Sequence, residues 1–161
     1  MKIKIIFVLF LTLFFSGCDI DNNNHGYGYE YDEISRDGIA LIFEAEKFPV
    51  DLDFIDSVYY EAKQCTGLTA PPPPYIVVKE EEYRFMFDGI SVYAAIRYDP
   101  DLILVSNKYI EDFGILMHEF IHYLLHNNGI DQGPDKHSLH VDLYVSCGAH
   151  ISKNFTRNRN I

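Results

Sequence analysis

Leu116-Met117-His118-Glu119-Phe120-Ile121-His122-Tyr123-Leu124-Leu125 is the stretch on which the reading of this chain turns. Around it, Ile110, Phe113, Leu116, Met117, Phe120, Ile121, Leu124 and Leu125 recur at helical spacing, which predicts a helix over 108–128 stopped by Gly129. At 3.6 residues per turn His118 and His122 lie on one face of that helix, so both imidazoles can reach one metal ion. Glu119 projects beside them, where a carboxylate can take a proton from water attacking a carbonyl. The pattern His-Glu-x-x-His divides the labour into ligand, base and ligand. With 7 His and 10 Glu in 161 residues it arises by chance about 0.02 times in a chain of this composition, and its place on a strongly periodic helix makes coincidence rarer still.

A catalytic zinc site needs a third protein ligand and an open position. No Glu follows Glu119, which excludes an arrangement completed by a downstream Glu; Leu125 and Asn128 stand where a longer Gly-and-His extension of the motif would need Gly and His. The remaining candidates are His126, Asp131, Asp135, His137, His140 and Asp142. His126 lies about 12 Å along a straight helix from His118, too far to share an ion, and is read as a solvated or supporting residue. Asp131-Gln132-Gly133-Pro134-Asp135 is a turn-rich loop. Beyond it Leu139, Leu143, Tyr144 and Cys147 mark a second helix, capped by Ser138, with His140 on it and His137 at its entrance.

From Leu116 to Cys147 the chain resembles small bacterial zincin-like lipoproteins, through His118, Glu119, His122, Gly129, Asp131, Asp135, His140 or His137, Tyr144 and Cys147, with Cys65-Thr66-Gly67 echoing an upstream Cys of that group. The resemblance implies an α+β zincin-like fold, a small mixed sheet with an active-site helix and a following C-terminal helix. It also implies one Zn2+ per chain and a zinc metallopeptidase in which Glu119 is the catalytic base. The implied metal ligands are His118, His122 and a His of the second helix: the spacing to Cys147 favours His140, and the nearby Asp135 favours the alternative, His137. Asp131 or Asp135 could orient a ligand imidazole or simply build the turn. In zincins a strand edge beside the helix pairs with an extended peptide, and the candidate here is the hairpin from Val92 to Val105. Arg97, Tyr98 and Tyr144 are candidates for stabilising an oxyanion.

Upstream, Ile39–Ala45 is strand-like but could open a helix, and Asp51 to Gln64 has helical apolar spacing, with Asp51 as cap and Gly67 just beyond. Pro71 to Pro74 forms a stiff connector delivering the β-branched strand Tyr75-Ile76-Val77-Val78. Ser91–Tyr98 and Leu102–Ser106 read as a β-hairpin.

The amino terminus predicts export. A basic opening, Met1-Lys2-Ile3-Lys4, precedes an apolar run from Ile5 to Phe15 that ends in Ser16-Gly17-Cys18, resembling a bacterial lipobox. The expected organisation is a signal peptide over 1–17, a lipidated Cys18 and polar tether over 18–37, the catalytic domain over 38–152 and a basic tail over 153–161. Exported Cys65 and Cys147 then lie in an oxidising compartment and are expected to form a disulfide, which in the chain-entropy model is worth roughly 4 kcal/mol. With aromatic residues at 15% and apolar ones at 48%, the chain can fill a core. A formal charge of −11 argues against a nucleic-acid partner. The expected partners are a peptide or protein substrate and a membrane reached through Cys18, with the chain taken as a monomer. The competing readings are an inactive zincin-like lipoprotein that serves as a surface binding module, and a surface lipoprotein without metal.

Overall fold

Strands with near-continuous Val, Ile and Leu bury both faces, and those of this chain form the middle of a mixed sheet. The computed structural model describes residues 30–70, 75–99, 101–133 and 136–150. The expected signal peptide, Cys18, most of the tether, Pro71 to Pro74, Asp135 and the tail lie outside them. In chain order the elements are β1 (Glu33–Ile34), β2 (Ala40–Phe43), α1 (Leu52–Thr66), β3 (Tyr75–Lys79), β4 (Phe85–Phe87), β5 (Ile90–Val92), β6 (Ala94–Tyr98), β7 (Asp101–Ser106), a 3-10 turn (Asn107–Tyr109), α2 (Phe113–Asn127) and α3 (Val141–Ser146). The fold is α+β.

The principal sheet has the order β1-β2-β3-β7-β6, with β2, β3 and β7 parallel and β1 and β6 antiparallel at its two edges. Alternation along the strands sorts side chains onto two faces. Leu41, Ile76, Val78, Ile96, Ile103 and Val105 face the helices, where Tyr59, Phe120, Leu124 and Tyr144 complete the main core. Ala40, Tyr75, Ala95, Leu102 and Leu104 face the other way and are covered by Phe85 of β4. Ile39–Ala45 therefore resolves as strand, because Leu41 is fully buried on the helix side and Ala40 on the opposite side. The expected hairpin is present as β6 and β7, paired through Ile96↔Ile103. Its first strand is shorter than the sequence run implied: Ile90–Val92 leaves the sheet and pairs with β4 around the Asp88-Gly89 turn, where both residues take positive φ.

Both main helices carry the caps their sequences announce. Asp51 accepts a hydrogen bond from Phe54 N, and Gly67 ends α1 at φ 67°. Helix α2 begins later than Lys108, because Asp112 acts as its N-cap, accepting from Ile115 N at 2.9 Å, and the preceding residues form only the 3-10 turn. Its end is as expected, with Gly129 at φ 64°. Helix α3 is also shorter than expected: Ser138 lies in a turn, and His140 occupies the N-cap position without a side-chain cap bond. A disulfide joins Cys65, on the last turn of α1, to Cys147 at the end of α3, with Cα atoms 5.7 Å apart.

Candidate metal centre

Helix α2 is buried around most of its circumference, and His118, Glu119 and His122 look from it into a cleft of about 710 Å³ that β6 and the β4–β5 hairpin close on the other side. His137 enters the same space from the loop after α2. Gly133 permits that loop: it sits at φ 83°, and a Cβ there would collide with Ser138 Oγ. Lys136, immediately before His137, is also in the left-handed region, at φ 64°.

The three Nε2 atoms converge. They lie 2.9 Å apart for His118 and His137, 3.0 Å for His122 and His137, and 3.1 Å for His118 and His122. An imidazole nitrogen carries either one proton or one lone pair, so a triangle of three such atoms cannot satisfy its three contacts by hydrogen bonding among themselves. A cation at their common focus can. Four-coordinate zinc with Zn–N of 2.0–2.1 Å sets its ligand nitrogens about 3.3 Å apart, close to the observed spacing.

The tautomers are arranged for this. Gln132, buried at 6% exposure, donates through Nε2 to the His122 carbonyl at 3.4 Å, which turns its Oε1 toward His122 Nδ1 at 2.5 Å. Tyr144 Oη lies 2.8 Å from the same Nδ1. Two acceptors at Nδ1 hold its proton there and leave the Nε2 lone pair for a metal. The fully buried Tyr144 ring also floors the site, with centroids 4.9 Å, 5.2 Å and 5.5 Å from those of His118, His122 and His137. His118 Nδ1 is buried beside the backbone of His150 and makes no hydrogen bond of ordinary geometry.

Burial sets the protonation states. It holds His118 well below the usual histidine range and His122 down at about 4, so both are neutral ligands at pH 7. Burial pushes the Glu119 carboxyl of the metal-free site up to about 8, so it is largely protonated there at pH 7; a cation held by the neighbouring histidines would favour the ionised form that a general base requires. Tyr98, on β6, is raised to about 12 by burial and keeps its proton.

His118, Glu119 and His122 therefore stand together as their spacing predicts. For the third nitrogen, the structure brings in His137, the alternative, rather than the preferred His140. His140 Nε2 instead meets the Asp131 carbonyl at 2.7 Å, because its residue caps α3 and its ring turns back toward the loop. Asp131 builds its own turn, accepting from Gly133 N at 2.9 Å, and supports no ligand imidazole. That supporting role falls to Gln132, which no motif marks in the sequence. His126 is exposed against the Tyr98 ring, 4.3 Å between centroids, as its distance along the helix required. Of the oxyanion candidates, Tyr144 is committed beneath the histidines, whereas Arg97 and Tyr98 line the cleft.

No protein-family model, curated protein or solved structure matches the chain, so its functional reading rests on the geometry of this site. What the site offers is a three-histidine cluster able to chelate one metal ion, with a buried carboxylate beside it and an open cleft in front.

Proposed function

We propose that this protein is a zinc-dependent peptidase of zincin type. The convergence of three histidine Nε2 atoms within 3.1 Å of one another, one residue from a buried glutamate, carries the reading. His118, His122 and His137 would hold the ion. Bound there, zinc supplies Lewis acidity: it polarises a carbonyl oxygen and acidifies water. The chain's own residues do the rest. Glu119 takes the proton from the attacking water and delivers it to the leaving amine, a task for which its buried position suits it. Gln132 and Tyr144 hold the His122 ring in its ligating tautomer. The edge strand β6 lies beside α2 along the cleft, where the backbone of an extended peptide can be laid.

The donor cluster holds three histidines and no fourth His, Cys, Asp or Glu among the described residues, so a zinc ion held there would keep a position open for water or substrate. Catalytic zinc sites are built this way, whereas structural ones close all four positions. The inactive binding module expects no loss of function on changing Glu119. A Glu119→Gln protein should keep one zinc per chain and lose peptide hydrolysis by at least a hundredfold; equal activity in the two proteins, measured on a mixed fluorogenic peptide set, rejects the catalytic role.

The proposed setting is outside the cytoplasm, tethered to a bacterial membrane at Cys18. The basic opening, the apolar run and Gly17-Cys18 support it, and a Cys65–Cys147 bond suits an oxidising compartment.

A further inference from the structure

A chain of formal charge −11 would be expected to line its cleft with carboxylates, yet this one does the reverse. Among the described residues, Arg84, Arg97 and Lys136 all line the cavity, against a single rim carboxylate, Asp88, besides the buried Glu119. Elsewhere Arg36 pairs with Asp37, Lys47 with Glu33 and Lys79 with Glu44, while Lys63 and Lys108 lie over the rings of Tyr59 and Tyr83. None of the three cleft cations has a carboxylate partner among the described residues. Two of them are held in place on ring faces, Arg84 at 4.1 Å from the Tyr93 centroid and Lys136 at 5.5 Å from that of Tyr98. A guanidinium stacked on a ring keeps its donor edge free for a carboxylate.

Their placement brackets the metal centre. Tyr93 stands edge-on to His150, whose backbone N donates to Gly114 O one turn before His118. Tyr98 Oη lies 3.5 Å from Gln132 Oε1, the atom that holds His122. The three histidines thus lie between a cation at Tyr93 and one at Tyr98, while Arg97, in register with Leu102, stands on the other face of the edge strand β6. Tyr93 and Tyr98 are five residue steps apart, at most about 17 Å of extended chain, a distance that a short stretch of bound peptide can span.

We propose that the cleft selects acidic peptides, with Asp or Glu side chains on both sides of the scissile bond, one held by Arg84 and the other by Lys136. This rests on the peptidase reading of the site. The overall negative charge does not oppose it at contact, because at physiological ionic strength it is screened beyond about 8 Å, and the groups that meet the substrate are the cations of the cleft. Apolar side chains between the cations, Val92, Ala94 and Ile96, suit the middle of a peptide better than a phosphodiester chain.

The test is binding to the Glu119→Gln protein with zinc added, read by fluorescence anisotropy. The probes are three labelled decapeptides identical except for flanking Asp/Glu, Asn/Gln or Lys. The acidic peptide should bind at least tenfold more tightly than its amide counterpart. Combined Arg84→Glu and Lys136→Glu should invert that order in favour of the Lys peptide. Equal affinities, a preference that survives charge reversal, or displacement by a short oligodeoxythymidylate at matched concentration would overturn the proposal. Parallel incubation with the wild-type protein separates the two readings: an acidic peptide bound selectively and never cleaved would keep the selectivity and remove the peptidase.

Discussion

At the scale of residues, the site is decided by where single nitrogens point. His137 and His140 are three apart in sequence and equally plausible by composition, but only His137 directs Nε2 at His118 and His122. His140 spends its own Nε2 on the Asp131 carbonyl. His137→Ala should therefore release zinc, with the affinity falling by orders of magnitude, whereas His140→Ala should keep close to one zinc per chain; elemental analysis of both proteins distinguishes them. The reverse pattern would move the third ligand to α3. Gln132 shows the same dependence on three dimensions, since its amide does for His122 what residue type alone would assign to Asp131 or Asp135.

At the scale of elements, the weakest part is also the one the site stands on. Helix α3 has six residues, well below the length at which a helix persists unaided. It carries Tyr144, the floor beneath the histidines, and it ends at Cys147, three residues on, bonded to Cys65 of α1. The bridge closes a span of 82 residues, for which the chain-entropy model gives about 4 kcal/mol. A Cys65→Ser, Cys147→Ser protein should lose stability of that order in denaturant titration. Its zinc affinity should fall as well, because Tyr144 no longer has a fixed position under His122; unchanged zinc affinity would show that α3 is held by packing alone. Helix α2, by contrast, is anchored at both ends by the Asp112 cap and the Gly129 turn and by Tyr59 packing on Phe120 with centroids 5.0 Å apart.

At the scale of the whole molecule, the site costs the metal-free fold stability. Glu119 is buried with its carboxyl raised from 4.5 to about 8. Below pH 4.5 the group is protonated in both folded and unfolded chains and imposes no penalty. As pH rises toward 8 the unfolded chain ionises while the folded one resists, so stability is progressively lost. His118 and His122 act in the opposite sense: their folded values are depressed, and the metal-free fold loses stability as pH falls below 6.5. In the presence of a chelator, the Glu119→Gln protein should melt several degrees above wild type at pH 8, with the gap closing toward pH 4.5. Coincident melting curves across that range would mean that Glu119 is solvated in the metal-free protein.

The local features of this chain are legible in its amino-acid order. Helical spacing locates α1 and α2, Asp51 and Gly67 bound the first of them, and His118, Glu119 and His122 fall on one face of the second, because periodicity and caps act within a turn or two of chain. Two lone cysteines and an export-like amino terminus are enough to pair Cys65 with Cys147. What the sequence leaves open involves groups brought together across the fold. Whether Ile39–Ala45 is strand or helix depends on β3 lying beside it. The choice of His137 over His140, the service of Gln132 and Tyr144 to His122, and the gathering of Arg84, Arg97 and Lys136 in one cleft are settled by a loop turning at Gly133 and a hairpin folding over the sheet edge. Sequence determines the types of side chain and their local period; distances between residues far apart in the chain are set only when the core packs, and coordination chemistry depends on those distances to within tenths of an ångström.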